Sequence, residues 1–188
     1  MKPGLTLQSF NKVLPEDDAD VNSVHLHLDR AAGHVISTDI TLDENNGSAN
    51  VNCFQVVGSV EVYRIYGTVK TATTFANCTA AYFDLYDSSN PFVITKNDGV
   101  LSGLGVGAFF TKEAIKTVTM TVIDNVAGSV TEPTTEKKQF TPFIVTQKTG
   151  ADTFIRFNYT TSDAPIDAVL TIYVEYRTPP VGGSLTVV

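Results

Sequence analysis

Apolar and polar residues alternate with a period of two along much of the chain, which is the pattern of half-buried β-strands. The clearest stretch is 166–177, where one face carries Ile166, Ala168, Leu170, Ile172, Val174 and Tyr176. The same reasoning, together with Gly, Pro and Asn turn signals, predicts strands at 24–28, 36–42, 51–70, 78–86, 92–95, 117–124, 139–146 and 153–161. Only one short helix is predicted, around 112–116. The chain is therefore predicted to be all-β.

Two local details of these strands follow from the side-chain pattern. A three-residue loop of Ala31, Ala32 and Gly33 would pair Leu28 with Ile36 and would place the apolar residues of the first hairpin on one face. Pro142 cannot donate a backbone hydrogen bond, so the strand 139–146 is predicted to be an edge or a bulged strand. Gly58 and Gly67 are predicted to mark bulges or bends in the long stretch 51–70.

Composition supports the all-β prediction. Val, Thr and Ile make up 58 of the 188 residues, and such β-branched residues pack well on pleated sheets. Irregularly spaced strands predict a single β-sandwich of jelly-roll type. An immunoglobulin-like sandwich is the alternative, but its Cys…Trp…Cys signature is absent because the chain has no Trp. The predicted organisation is an N-terminal arm (1–20), a β-sandwich domain (21–178) and a C-terminal tail (179–188).

The acidic net charge and the absence of long apolar runs exclude two classes of binding partner. Lys and Arg number 13 against 20 Asp and Glu, so the formal net charge is −7 and the isoelectric point is about 4.8. Nucleic-acid binding depends on basic side chains that neutralise phosphates, and no basic cluster is present, so no nucleic-acid partner is expected. No apolar run approaches the roughly 20 residues of a membrane helix, so no membrane partner is expected. Cys53 and Cys78 are predicted to be free thiols.

The search for catalytic and metal-binding motifs yields two weak patterns. His25 and His27 share one strand face, as in the metal site of cupins, but the cupin Glu is missing. The register places His25 opposite Asp39, which favours a surface His25–Asp39 pair over a metal site. The Gly-rich segment 98–110 lacks the third Gly and the helix of a dinucleotide loop. It is predicted to be an apolar loop whose side chains could insert into a partner: Leu101, Leu104, Val106, Phe109 and Phe110. No catalytic residue, metal or cofactor is predicted.

The segment 154–177, FIRFNYTTSDAPIDAVLTIYVEYR, resembles the closing hairpin of small β-rich virion proteins of tailed bacteriophages, including capsid decoration (cement) proteins. The resemblance implies a non-enzymatic protein, made in the host cytoplasm, that sits as an oligomer on the capsid exterior and braces neighbouring coat subunits. Two alternatives stay open: a receptor- or carbohydrate-binding β-sandwich module of a tail or fibre, and a cupin-like metalloprotein.

The expected contacts lie on one strand face and in both terminal segments. A sandwich needs only one apolar face per sheet, so the large apolar groups on the other face of the last two strands predict a homo-oligomer, with a trimer favoured. Apolar side chains in both terminal segments are expected to be buried in a contact, since an ordered arm must recover its entropy cost. Pro179 and Pro180 are expected to project the tail away from its own sheet, so that the tail contacts a neighbour. The predicted contact residues are Phe154, Val169, Tyr173, Leu5, Leu7, Phe10, Leu185 and Val187.

Overall fold

A computed structural model of the chain describes residues 33–43, 47–72, 78–112, 119–123, 142–162 and 168–188. Apart from Gly33, all of them belong to one compact unit, His34–Val188. Its strands are β1 (His34–Leu42), β2 (Gly47–Ala72), β3 (Cys78–Tyr86), β4 (Pro91–Val93), β5 (Phe109–Thr111), β6 (Thr121–Ile123), β7 (Phe143–Thr146), β8 (Thr153–Thr161), β9 (Ala168–Arg177) and β10 (Gly183–Val187). The described residues contain no helix, so the all-β prediction is confirmed.

The 26-residue strand β2 organises the sheet. Its first half pairs with β8 and β10, and its second half pairs with β9, β7 and β5, always antiparallel. Gly58 separates the two halves and has a φ of +65°, a backbone conformation that glycine adopts without steric cost. The remaining strands extend the two halves: β3 and β4 lie beyond β8, β1 lies beside β9, and β6 lies beside β5.

Chain connectivity requires that β2 folds back on itself. Gly47 at its start pairs with Thr161, and Ala72 at its end pairs with Ala168. Thr161 and Ala168 are separated by so few residues that their link spans at most roughly 25 Å. A straight strand of this length would instead extend roughly 85 Å. The two halves of β2 therefore approach each other, and the fold is β-sandwich-like; the jelly-roll topology stays a prediction.

Aromatic side chains fill the space between the two halves. Phe110, on the β5 strand that pairs with the second half, lies with its ring centroid 5.8 Å from that of Phe157 and 6.4 Å from that of Phe83. Phe83 and Phe157 belong to β3 and β8 of the first half. All three side chains are fully buried. Gly67 makes room for Phe110, because a Cβ at this position would lie 2.2 Å from Phe110 Cζ.

Several local predictions are confirmed. Strands β3 and β8 begin and end at the predicted residues. On β9, the predicted inward residues from Ala168 to Tyr176 are all buried. Strand β7 begins directly after Pro142 and pairs with β2 alone among the described strands, as an edge strand does. On β1, Ile40 and Leu42 are buried and Ile36 is half-buried. Three predicted features lie outside the described residues: the partner strand 24–28, its hairpin loop before Gly33, and residues 113–116 of the predicted helix.

The prediction of a closing hairpin is wrong, because β8 and β9 do not pair with each other. Each strand has two hydrogen-bonding edges, and both edges of each are already occupied: β8 lies between β2 and β3, and β9 lies between β1 and β2. Strand β8 therefore belongs to the first half of the sheet and β9 to the second.

The prediction that the tail leaves its own sheet is also wrong. The Gly182 amide donates to the carbonyl of Pro179, 2.9 Å away, and this turn brings the chain back. Residues 183–187 then form β10, which pairs with residues 54–58 of β2. The C-terminal tail is thus part of the β-sheet domain, and Leu185 is buried in its core.

Two expectations about glycines and the Gly-rich segment need correction. Gly67 lies at no bulge; the irregular positions of β2 are next to Cys53, Tyr63 and Lys70. Three large side chains of the Gly-rich segment, Leu101, Leu104 and Phe110, are buried and cannot insert into a partner, whereas Phe109 is half-buried and Val106 is exposed. Backbone hydrogen bonds to Cys78 and Val69 hold the segment against the sheet.

Candidate functional site

The strands β1, β9 and β2 carry a broad surface that points away from the core. Its residues alternate with the buried ones, so the sequence period of two assigns them to the opposite side. We call this surface the outward face. Its members are Val35, Ser37, Asp39 and Thr41 on β1, Val169, Thr171, Tyr173, Glu175 and Arg177 on β9, and Glu61, Tyr63, Arg64, Tyr66, Thr68 and Lys70 on β2, with Phe109 of β5 beside them.

Aromatic rings occupy the centre of the outward face. Tyr66 and Tyr173 are cross-strand partners, and their rings stack with centroids 4.8 Å apart and an interplanar angle of 9°. Phe109 lies on the other side of Tyr66, at 5.3 Å. The guanidinium of Arg64 lies 5.0 Å from the Tyr66 ring centroid and 5.6 Å from that of Phe109, within the range of a cation–π interaction. These contacts fix the side chains in one arrangement before any partner binds.

Charged side chains surround the aromatic centre in pairs of opposite sign. Lys70 forms an ion pair with Asp39, and Arg177 forms one with Glu61. Arg64 and Glu175 are cross-strand partners in the register of β2 and β9. Opposite charges placed directly across a sheet attract each other. The formal charges of these six side chains sum to zero.

Three groups of the outward face, Asp39, Tyr63 and Tyr66, have pKa values that the structure shifts away from neutral pH. Hydrogen bonds from Lys70 and Thr171 lower the pKa of Asp39 below its ordinary value of 3.8, so its carboxylate is ionised. Burial, reinforced by the charge of Glu175, raises the pKa of Tyr66 above 10.0, and burial also raises the pKa of Tyr63. Both phenols are therefore neutral. These three groups therefore add one negative charge and two neutral phenols to the face around neutral pH.

The predicted contact residues do not form one patch. Tyr173 and Val169 lie on the outward face, half-buried. Phe154 is half-buried on β8, opposite Gln55 and Tyr86, and belongs to the other half of the sheet. Leu185 is 4% exposed and Val187 is 51% exposed, so only the second could meet a partner. Leu5, Leu7 and Phe10 lie outside the described residues.

Sequence reasoning missed Arg64 and Tyr66 at the centre of the outward face, and it placed Phe109 in a loop that could insert into a partner rather than on a strand. Arg64 and Tyr66 alternate with the buried Ile65 and Gly67, so the signal is present in the sequence. The bulge at Tyr63 shifts the register just before them and hides the continuity of the pattern. Phe109 falls in the Gly-rich segment, where no strand was predicted.

A second polar cluster lies on the outer side of β8 and β3. Arg156 donates from Nε and Nη2 to the two carboxylate oxygens of Asp84, at 3.0 and 2.7 Å. Its guanidinium lies 3.8 Å from the centroid of the Tyr86 ring. Asp84 is fully buried and Arg156 nearly so. Next to Arg156 on the same strand face, the buried Nδ2 of Asn158 has no hydrogen-bond partner.

The structure describes only some of the residues that were considered for metal or thiol chemistry. His34 packs against Tyr176, with ring centroids 5.3 Å apart, while His25 and His27 lie outside the described residues. In the part of the chain that the structure describes, no group of three or more His, Cys, Asp and Glu could hold a metal ion. Cys53 and Cys78 are free and buried, and burial raises the pKa of each thiol to about 12, which makes them poor nucleophiles.

Comparisons with known proteins give no further guidance. No protein-family model, no curated protein and no solved structure matches the chain. Among the described residues there is also no helix with the length and apolar character needed to cross a membrane. The candidate site is therefore argued from its own geometry.

Proposed function

We propose that this chain is a non-enzymatic structural protein of a virion, which decorates a capsid and braces neighbouring coat subunits by binding protein through the outward face. The observation that carries the protein-binding part is the stacked centre of Tyr66, Tyr173 and Phe109 with Arg64 above it. Tyr and Arg are enriched at protein interfaces and in their binding hot spots. The virion context draws on the resemblance of residues 154–177 to phage structural proteins.

The construction of the outward face supports a binding role over a catalytic one. Its side chains stand on adjacent strands of one sheet, which hold them more rigidly than loops do. Rings that already stack lose little conformational freedom when a partner covers them, so less entropy opposes binding. Charged pairs around an aromatic centre match the polar rim and apolar core of a protein interface.

Cosedimentation with empty shells assembled from the coat protein of the same genome tests this proposal. We expect the chain to saturate regular sites on the shells. Arg64→Ala combined with Tyr173→Ala should weaken binding at least about tenfold, since central Tyr and Arg anchors each contribute on this scale. Phe92→Ala is the matched control, because Phe92 is an exposed aromatic residue of β4, outside the outward face. No binding of the wild-type chain to shells would refute the proposal.

Glycan binding is a second candidate function, and the polar cluster on β8 and β3 favours it. The unpartnered Nδ2 of Asn158 could donate to a sugar hydroxyl, and the half-buried rings of Tyr82 and Tyr86 flank the cluster. The charge of Arg156 is already matched by Asp84, which suits a neutral ligand. Binding to an array of neutral glycans that Asn158→Ala abolishes without lowering stability would support this function; an array on which nothing binds would refute it.

A further inference from the structure

The outward face is electrically neutral on a strongly acidic chain. Its three cations are Arg64, Lys70 and Arg177, and its three anions are Asp39, Glu61 and Glu175. Because they cancel, the formal net charge of −7 comes entirely from residues elsewhere. Exposed charges farther away than about 8 Å are largely screened at physiological salt. Two copies of this chain that approach each other through this face therefore bring no net like charge into contact.

The signs of the charges alternate across the strands in a regular way. At each level along the strands, one member of a pair lies on β2 and the other on β9 or β1. Arg64 of β2 lies beside Glu175 of β9, and Glu61 of β2 lies beside Arg177 of β9. Lys70 of β2 contacts Asp39 of β1. In each pair, the two oppositely charged residues therefore lie on opposite sides of a line that runs between β2 and β9.

The two pairs between β2 and β9 are complementary to themselves under one symmetry operation. A two-fold axis that runs parallel to the strands, in the plane of the contact and between β2 and β9, places β2 of one copy over β9 of the other at the same level. Arg64 then lies over Glu175 of the second copy, Glu61 lies over its Arg177, and Tyr66 lies over its Tyr173. We propose that the outward face binds a second copy of this chain in this two-fold arrangement, an inference that rests on the proposed protein-binding role of the face.

The size of the outward face fits such a contact. The nine residues from Val169 to Arg177 extend about 30 Å. Four neighbouring strands (β1, β9, β2 and β5 or β7) cover a width of about 19 Å. The projected area is therefore about 570 Å², and the accessible area of a corrugated sheet is larger. Stable protein interfaces bury about 800 Å² per partner, so nearly the whole face would take part.

Two-fold pairing also decides the stoichiometry. A surface that is complementary to itself closes as a dimer, whereas a cyclic trimer needs two different surfaces that meet head to tail. The outward face alone therefore gives a dimer of twice 20.3 kDa rather than the trimer favoured from the sequence.

Charge reversal followed by mixing tests the arrangement. Arg64→Glu makes position 64 and Glu175 both acidic, and Glu175→Arg makes position 175 and Arg64 both basic, so each variant repels itself. We expect each to have a dimer dissociation constant at least about tenfold above that of the wild type, because close charge pairs at interfaces are coupled on this scale. An equimolar mixture of the two should form the heterodimer, since every contact across the axis then joins opposite charges. Sedimentation velocity at micromolar concentration measures all three samples.

The controls separate this inference from the proposed function. Lys96→Glu changes the net charge by the same amount as Arg64→Glu, but Lys96 pairs with Asp98 in the turn segment after β4, outside the outward face, so the dimer should persist. Thermal unfolding confirms that each variant is folded. A wild-type monomer or trimer, or a mixture that stays monomeric while both variants are folded, would overturn the two-fold contact. A monomer that still binds shells would overturn only this inference and would leave the proposed function standing.

Discussion

Gly67 is the position at which one added methyl group should have the clearest effect on stability. A Cβ there would lie 2.2 Å from Phe110 Cζ, 2.7 Å from Phe110 Cε2 and 2.9 Å from Ile172 Cδ1. The Phe110 ring cannot swing away, because it is fully buried against Phe83 and Phe157. Extra carbon in a packed core costs about 1–3 kcal/mol, and an alanine in a strand recovers about 0.5–1 kcal/mol relative to glycine.

The expected net effect of Gly67→Ala is a loss of about 1–2 kcal/mol in the free energy of unfolding. For a chain of this size such a loss lowers the melting temperature by about 2–8 °C. Urea denaturation at equilibrium and differential scanning calorimetry measure the two quantities. Gly33→Ala is the matched control, since a Cβ at Gly33 meets nothing within 4 Å, and its stability should stay within about 0.5 kcal/mol of the wild type.

A double-mutant cycle makes this prediction specific to Phe110. Phe110→Leu alone destabilises the chain because it leaves a cavity. It also removes the ring atoms that Gly67→Ala would strike, so the double variant should be more stable than the sum of the single effects predicts, by at least about 1 kcal/mol. If the two effects add, or if Gly67→Ala is as stable as the wild type, the contact between β2 and β5 described above is wrong.

Three further predictions concern other parts of the sheet. Asp84→Asn should lower the free energy of unfolding by about 3–5 kcal/mol, because it leaves the guanidinium of Arg156 buried without its counter-charge; a loss below about 1 kcal/mol in urea denaturation would contradict this. Deletion of residues 183–188 should destabilise the chain by at least about 2 kcal/mol, since the burial of Leu185 alone contributes about 1.5–3 kcal/mol; unchanged thermal unfolding would contradict the pairing of β10. Cys53 and Cys78 should resist iodoacetamide at pH 8.5 until the chain is denatured; rapid labelling of the native chain would show that the thiols are accessible. The free energy of unfolding should decrease from about pH 9 towards pH 12, because the unfolded thiols lose their protons near 9.0 and the folded ones near 12.

Alternation of apolar and polar residues predicts the straight strands of this chain well. Strands β3, β8 and β9 were predicted at or near their observed bounds, because each keeps a period of two over most of its length. In β2, each of the bulges next to Cys53, Tyr63 and Lys70 shifts which face of the sheet the following side chains point to. The sequence shows that this stretch is extended, but the bulges obscure which of its residues face outward.

Pairing between distant strands could not be predicted from local signals. The turn residues after Thr161 suggest a hairpin, yet both neighbouring strands pair with β2, whose residues are about a hundred positions earlier in the chain. The same holds for the tail. Pro179 and Pro180 indicate that the preceding strand ends, but they do not indicate that the tail forms β10 and pairs with an edge of β2. Of the candidate site, only Tyr173, Val169 and Phe109 were predicted to contact a partner, and nothing in the sequence placed them together, because the outward face exists only once β1, β9 and β2 lie side by side.

The central position of β2 has a consequence for how the chain folds during synthesis. Ribosomes add roughly 5–20 residues per second, and 80 residues lie between the end of β2 at Ala72 and the start of β8 at Thr153. A nascent chain therefore carries β2 without its partner β8 for roughly 4–16 s, and without β9 and β10 for longer. Unpaired strand edges promote aggregation, and charged side chains along a strand oppose it. Glu61, Arg64 and Lys70 would then protect the emerging strand before they take any part in the finished protein.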